Sequence, residues 1–221
     1  MANALPADPT LDEIREHLAP LIAGNAAFDG WGDAACHTAA EAAGVDRDVA
    51  ALAFPGGPTD MIDAWFASVD AAMRAALPAA TLGAMKVREK ITALVEARLA
   101  ILAPQRESLR RALGVLAMPR NVATAAKLGW RAADLMWRAA GDTATDYNHY
   151  SKRAILAAVY GATITVFLDD DSEGHADTRA FLARRIEGIM RFEKTKAGLL
   201  ARAGHRPSLS RFIGRLRYPV V

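Results

Sequence analysis

Cysteine is almost absent from this chain of 221 residues, which contains Cys36 alone. A single thiol excludes an internal disulfide and is typical of proteins in a reducing compartment. The first residues, MANALPADPTLDEIREHL, lack a basic segment followed by an apolar core, and so predict no secretory signal. We therefore expect a cytoplasmic protein.

Strand-forming patterns are scarce as well. Runs of Val, Ile and aromatic residues alternating with polar ones are nearly absent, and aromatic residues make up 7% of the chain. Hydrophobic residues reach 52%, and many of them are alanine, which has the highest helix propensity. The composition therefore predicts an all-α protein.

Long uncharged runs are also missing. The longest is 154–168, whose 15 residues are fewer than the roughly 20 that a membrane span requires. Because this run is apolar on nearly every face, a helix made from it should be buried all round. Two structures fit that pattern: a solid core, or the wall of an elongated apolar cavity.

Motifs for catalysis or metal binding are not found. The five histidines are scattered, without an HExxH pattern or a Cys–His cluster, and no Gly-rich phosphate loop is present. Asp169, Asp170 and Asp171 are consecutive, so on a helix they point about 100° apart and cannot converge on one ion. We expect no enzyme activity, no metal and no cofactor.

Helical spacing of apolar residues organises the chain into three parts. These are a helix-turn-helix-like N-terminal module at 8–77, a helical domain at 78–196, and a flexible linker with an amphipathic helix at 197–221. The predicted helices are Thr10 to Gly24, Asp33 to Ala43, Asp46 to Ala53, one from Thr59, Met85 to Leu102, Ser108 to Leu116, Asn121 to Ala140, Tyr147 to Leu168 and Ala176 to Lys196.

The N-terminal module resembles that of TetR-type regulators, with a turn at Gly44 and a second helix that ends at Phe54-Pro55. A DNA-reading helix needs basic and amide side chains at its start. Here Asp46 and Asp48 occupy that position, and carboxylates repel phosphates. The sequence thus favours a module kept for packing, with no nucleic acid as partner.

The C-terminal segment is basic. From residue 184 to the end, ten Lys or Arg face two Glu, giving +8; because the whole chain is +2, the preceding part is −6. Apolar residues of the last segment form one stripe, with arginines opposite, as in interfacial helices. Docking on its own domain or on a partner protein also fits. The predicted membrane-binding residues are Leu209, Arg211, Phe212, Ile213, Arg215 and Leu216.

A specific pattern runs through residues 129–190. It consists of Trp130, Arg131 and Asp134, then Asp146, Tyr147, Asn148, Tyr150, Ser151, Lys152 and Arg153, then Thr178, Phe181, Leu182 and Arg185. This pattern resembles the family of the ninth coenzyme Q biosynthesis protein. The resemblance implies a TetR-like helical bundle that binds isoprenoid lipid or phospholipid between helices and pairs as a homodimer.

The resemblance also implies site residues. A lipid slot between the helices of the larger domain is assigned to Leu94, Val95, Trp130, Leu135, Met136, Ile155, Val159, Val166 and Phe167. A surface for a demethoxy-quinone hydroxylase is assigned to Asp146, Asn148, His149, Tyr150 and Arg153. His149 departs from the family pattern, which has Trp at that position.

We therefore predict a non-catalytic, lipid-binding accessory protein of ubiquinone biosynthesis. It would present isoprenoid quinone intermediates to the hydroxylase, peripheral to the inner (cytoplasmic) membrane. One alternative is a TetR-like transcriptional regulator with a lipid-sensing pocket, against which the acidic residues of the second helix argue. Another is an enzyme acting on lipid, for which the sequence offers no catalytic constellation.

Overall fold

The computed structural model describes residues 5–6, 8–143, 145 and 147–203, with side chains at all of these except 147, 148, 190 and 192–203. Within this part of the chain there are ten α-helices and no strand. They are α1 (Leu11–Asp29), α2 (Asp33–Ala43), α3 (Arg47–Ala53), α4 (Pro58–Ala76), α5 (Ala79–Gly83), α6 (Val87–Leu102), α7 (Arg106–Leu116), α8 (Val122–Ala139), α9 (Tyr147–Leu168) and α10 (Ala176–Ala203).

Helix α1 begins at the predicted capping box, in which the Thr10 hydroxyl and the Glu13 carboxylate each bind the other's backbone N–H. The predicted end at Gly24 is wrong, because the helix continues to Asp29 and ends at Gly30, whose φ is 75°. Ala23 and Ala26 are fully buried. Burial of this face outweighs the roughly 1 kcal/mol helix penalty of a glycine.

The helix-turn-helix layout is confirmed. Gly44 adopts a left-handed conformation (φ 68°, ψ 23°) between α2 and α3, which favours glycine. Asp46 caps α3, since its Oδ1 accepts from the backbone N–H of Asp48 at 2.9 Å and of Val49 at 3.2 Å. The carboxylate that argued against DNA binding therefore also starts the helix. Helices α2, α3 and α4 all pack on α1.

Helix α9 has the predicted bounds but differs from the predicted burial. It packs mainly on α8 and also contacts α6 and α7. One stripe, Ala154, Ala158, Gly161 and Thr165, is exposed, so the helix is not buried all round. The expectation that it is too short for a span is also corrected: 149–168 is long and apolar enough, with mean hydropathy 1.3. Only the length and the composition of this helix support a membrane span, and the core helix of a soluble protein can have the same length and composition.

The three aspartates after α9 have different environments. Asp169 and Asp171 are exposed and pair with Arg110 and Arg106 of α7. Asp170 is buried and caps the start of α10, accepting from the backbone N–H of Ser172 at 2.9 Å and of Thr178 at 2.8 Å, and from both hydroxyls. Although burial acts to raise the pKa of Asp170, these hydrogen bonds hold it well below the ordinary value.

The chain divides into two compact units, with the boundary between Leu182 and Ala183. The first unit contains α1 to α9 and the start of α10. In the second unit, α10 continues through Ala203, beyond the predicted end at Lys196. The flexible linker predicted from residue 197 is therefore helical as far as Ala203.

Candidate functional site

An apolar cavity of about 480 Å³ lies between α7, α8 and α9. Its walls include Leu113 and Leu116 of α7, Leu128 of α8 and Ile164 of α9, and Phe66 of α4 also lines it. Small-molecule sites are mostly apolar and usually enclose roughly 300–1,000 Å³. The cavity therefore has the size and chemistry of a site for an apolar ligand.

Small residues create this space. Ala125, Gly129 and Ala132 face the cavity from α8, and Ala157 and Gly161 face it from α9. A Cβ atom added at Gly129 or at Gly161 would meet no other atom within 4 Å. The helices cross without side chains large enough to fill the gap, and this leaves the cavity open to a ligand.

Arg98 and Tyr160 supply the polar part of the lining. Arg98 Nε donates to the Tyr160 hydroxyl oxygen at 3.0 Å, and its Nη1 donates to the buried carboxylate of Asp70. Arg131 Nε lies 3.3 Å from Asp70 Oδ2, and Arg131 also pairs with Asp63. Burial acts to lower the pKa of Arg98, but Tyr160 and Asp70 raise it above its ordinary value, so Arg98 stays charged.

A second cluster joins α8 to the start of α9. Arg153 is 1% exposed; its Nε lies 2.6 Å from Asp134 Oδ1, and its Nη1 lies 3.1 Å from Asp142 Oδ2. Lys152 Nζ lies 2.8 Å from Asp142 Oδ1. Burial acts to raise the pKa of both aspartates, but hydrogen bonds from Arg153 and Arg138 lower the pKa of Asp134, and those from Lys152 and Arg153 lower the pKa of Asp142. The cluster thus fixes two helices with paired charges.

A polar pocket of about 450 Å³ lies beside this cluster. Tyr150 lines it and is 62% exposed, and its ring centroid lies 5.1 Å from that of His149 and 6.1 Å from that of Trp130. Across the described residues, no group of three or more His, Cys, Asp or Glu side chains could hold a metal ion. The arrangement suits binding of a partner or ligand.

Comparison with known families concerns the segment that contains the polar pocket and the α8 and α9 walls of the apolar cavity. The COQ9 family profile matches residues 122–193, from the start of α8 into α10. The resemblance to the COQ9 family is confirmed. Human ubiquinone biosynthesis protein COQ9, mitochondrial, is 41% identical over 101 residues, which are 46% of this chain and 32% of the human protein.

Other COQ9 relatives extend the match. The Xenopus tropicalis protein of the same name is 42% identical over 96 residues, which are 43% of this chain and 30% of that protein. The Drosophila melanogaster protein is 27% identical over 187 residues, which are 83% of this chain and 57% of that protein. The match to the human and Xenopus proteins thus spans about a third of their length.

The fold also has a relative of known structure. A TetR transcriptional regulator from Nitrosomonas europaea superposes with a TM-score of 0.64, covering 79% of this chain and 96% of that one at 24% identity. At that identity the likeness concerns the fold alone. The predicted TetR-like, all-α architecture is confirmed.

Several residues of the COQ9 pattern have structural contacts. Asp134 and Arg153 form the ion pair that joins α8 to α9. Thr178 donates its N–H and its hydroxyl to Asp170 at 2.8 and 2.5 Å. Such contacts hold the helices of the COQ9-like segment together. These residues of the COQ9 pattern therefore have a structural role that is separate from ligand binding.

None of the nine residues assigned to the lipid slot lines the cavity. Four of them, Leu94, Val95, Met136 and Phe167, are fully buried in the packed core. The other five, Trp130, Leu135, Ile155, Val159 and Val166, are partly exposed on α8 and α9. The assignment includes α8 and α9, two of the helices that line the cavity, but residues on other faces of them, and their role in lipid binding stays a prediction.

The reason lies in the uniform composition of α9. At about 100° per residue, the stripe of Ala157, Tyr160 and Ile164 lies roughly opposite Ile155 and Val159. Because both faces are apolar, hydrophobicity did not distinguish them. The useful signal was the set of small residues on α8, spaced at helical intervals from Ala125 to Ala132.

The predicted partner surface is also revised. Arg153 is buried and paired with two carboxylates, so its assignment as a surface contact is wrong. Tyr150 is exposed and His149 is half-buried, as a contact surface requires. Asp146, the side chain of Asn148 and the predicted membrane-binding residues 209–216 lie outside the described residues. Their roles stay predictions.

Proposed function

We propose that this protein is a lipid-binding accessory protein of ubiquinone biosynthesis, which holds an isoprenoid quinone intermediate for a partner enzyme. The apolar cavity, of which α8 and α9 of the COQ9-like segment form one side, is the observation that carries this proposal. The relatives are named ubiquinone biosynthesis proteins. A non-catalytic role agrees with a cavity in which Arg98 and Tyr160 are bound to each other.

The mouth of the cavity supports delivery from a membrane. Ala117 and Ala126 line the cavity and are exposed, which marks an opening near the turn between α7 and α8. In the same turn, Met118 is 41% and Val122 is 56% exposed. Exposed apolar side chains next to an opening are typical of surfaces that contact lipid.

Charge around this opening favours an anionic membrane. Residues 108–133 contain five Lys or Arg and no Asp or Glu, and three of the five, Arg110, Arg111 and Arg131, pair with acidic side chains outside this range. Arg120 and Lys127 are exposed and have no ion pair among the described residues. Each cation near an anionic surface contributes about 1 kcal/mol of attraction. We propose that the protein binds the membrane here as well as through its C-terminal segment.

The partner surface is proposed at the start of α9. Tyr150 is exposed beside the polar pocket, and tyrosine is enriched in binding hot spots. We propose that Tyr150 and His149, with Asp146 and Asn148, contact a demethoxy-quinone hydroxylase. Because the relatives are named mitochondrial, we also propose a mitochondrial location rather than the cytoplasmic one expected from the sequence.

Filling the cavity tests the proposal. Gly129→Leu would place a side chain in the open space, whereas Gly114→Leu would place the same side chain on the exposed face of α7, outside the cavity lining. We expect Gly129→Leu to weaken binding of a short-chain prenyl benzoquinone at least tenfold in an equilibrium titration, and Gly114→Leu to change it less than twofold. Equal affinity in both variants would contradict binding in this cavity.

A further inference from the structure

The polar residues of the cavity have an unusual position in its lining. Arg98 and Tyr160 are the polar side chains among the lining residues that the structure describes, and both are buried. The exposed lining residues, Ala117, Ala126 and Gly161, mark the open side. A ligand that enters the cavity from this side would therefore pass exposed apolar residues before it reaches the buried polar pair.

The hydrogen bonds of this pair leave one donor available. The Tyr160 oxygen accepts from Arg98 Nε at 3.0 Å, and the hydroxyl hydrogen has no acceptor among the described residues. A hydroxyl that accepts from a cation becomes a stronger donor, because hydrogen bonds in a chain polarise one another. A buried hydroxyl with an unused hydrogen loses free energy unless a ligand supplies an acceptor.

The net charge of the side chains around Tyr160 determines which acceptor group a ligand can place there. Arg98 and Arg131 face Asp70 and Asp63, so the four side chains are formally neutral together. A neutral cluster offers little attraction to offset the cost of burying a carboxylate or phosphate head. A carbonyl oxygen accepts a hydrogen bond and carries no charge.

We propose that Tyr160, held by Arg98, donates a hydrogen bond to a ring carbonyl of a prenylated benzoquinone, whose prenyl chain leads toward the open side. This inference rests on the proposed function and adds the residue that recognises the quinone ring and the orientation of the ligand. Phe66 also lines the cavity and adds an aromatic side chain to its apolar wall. Tyr160 is thus the residue that distinguishes a quinone from a hydrocarbon of similar size.

The test compares two probes on the full chain and on two variants. The probes are a short-chain prenyl benzoquinone and a prenyl hydrocarbon of matched carbon number. Tyr160→Phe removes only the hydroxyl, and Thr38→Val removes an exposed hydroxyl from α2, outside the cavity lining. We expect Tyr160→Phe to weaken quinone binding about fivefold to tenfold, as for loss of one hydrogen bond, and hydrocarbon binding less than twofold.

The control, Thr38→Val, should leave both affinities within twofold of the original. A Tyr160→Phe variant that binds both probes as the original does, or weakens both equally, would overturn the role of Tyr160. If the original protein binds neither probe, the proposed function fails instead. A fatty acid that binds more tightly than the quinone, and loses affinity in Tyr160→Phe, would overturn the choice of a neutral head.

A measurement on the unchanged protein complements the variants. The infrared carbonyl band of the bound benzoquinone should lie at lower wavenumber than in hexane, because hydrogen bonding weakens the carbonyl bond. A band at its position in hexane would overturn the proposal even if Tyr160→Phe does not fold.

Discussion

At the residue scale, buried charges hold the α8–α9–α10 region together. Arg153 and Asp170 are both nearly inaccessible to solvent, and each is satisfied by several hydrogen bonds. The sequence presents Arg153 within a polar segment and Asp170 within three aspartates, so neither could be recognised as buried from its neighbours. By contrast, the caps formed by Thr10 and Asp46 follow local rules and could be predicted.

Replacing Asp170 tests its capping role. Asp170→Asn puts an amide NH₂ where only donors approach, so the free energy of unfolding should fall by about 1–2 kcal/mol at pH 7. Because the pKa of Asp170 is lower in the folded state, its contribution is present above the ordinary Asp pKa of about 4 and is lost as the pH falls below it.

Urea unfolding at pH 7 and at pH 3 measures both effects. Asp171→Asn is the control, because Asp171 is exposed. A difference between Asp170→Asn and the original protein that is as large at pH 3 as at pH 7 would contradict the role of the ionised carboxylate.

Substitutions at Arg153 and at Tyr150 distinguish an effect on stability from an effect on partner binding. Arg153→Leu leaves Asp134 and Asp142 without their buried partner and should lower the free energy of unfolding by about 3 kcal/mol.

Tyr150→Ala removes an exposed ring and should change the free energy of unfolding by less than about 1 kcal/mol, while weakening co-purification with the hydroxylase. Hydroxylase capture that is unaffected by Tyr150→Ala would remove Tyr150 from the proposed contact surface.

At the element scale, the spacing of small residues decides where helices separate. The face of α8 that carries Ala125, Gly129 and Ala132 meets a stripe of α9, and the cavity forms where neither side supplies bulk. Sequence periodicity located both helices, since their bounds follow from spacing, caps and turns. It could not choose a face of α9, where apolar residues surround the helix.

The turn between α7 and α8 is the element expected to contact lipid. Replacing Met118 and Val122 together by Ser should reduce co-flotation with vesicles of phosphatidylserine and phosphatidylcholine at least threefold, because it removes the exposed apolar side chains beside the opening. Leu52→Ser is the control, since Leu52 is also exposed but lies on α3. An equal loss of flotation in the double variant and in Leu52→Ser would show that any exposed apolar side chain has this effect, and would contradict a specific role of this turn.

At the scale of the whole molecule, the fold class was the most predictable property. Alanine-rich helical composition predicts an all-α protein, the turn at Gly44 and the Phe54-Pro55 end of the second helix resemble TetR-type regulators, and the matched structure has that fold. Long-range features could not be predicted, because the pairing of Arg98 with Asp70 and Tyr160 joins three helices through residues far apart in the chain.

The exposed stripe of α9 bears on assembly. Ala154, Ala158 and Thr165 form a face of small residues that would allow a second copy to approach closely, as the proposed homodimer requires. We expect Ala158→Arg to convert a dimer to a monomer in sedimentation velocity. A protein that sediments as a monomer before the substitution would contradict the homodimer.

The central claim is that the cavity between α7, α8 and α9 holds an isoprenoid lipid. Native mass spectrometry of the protein, purified from cells without detergent, measures this most directly. We predict an adduct whose mass matches an isoprenoid quinone or its precursor at one per chain, and its loss in Gly129→Leu. A lipid-free spectrum, or an adduct retained in full by Gly129→Leu, would contradict the claim.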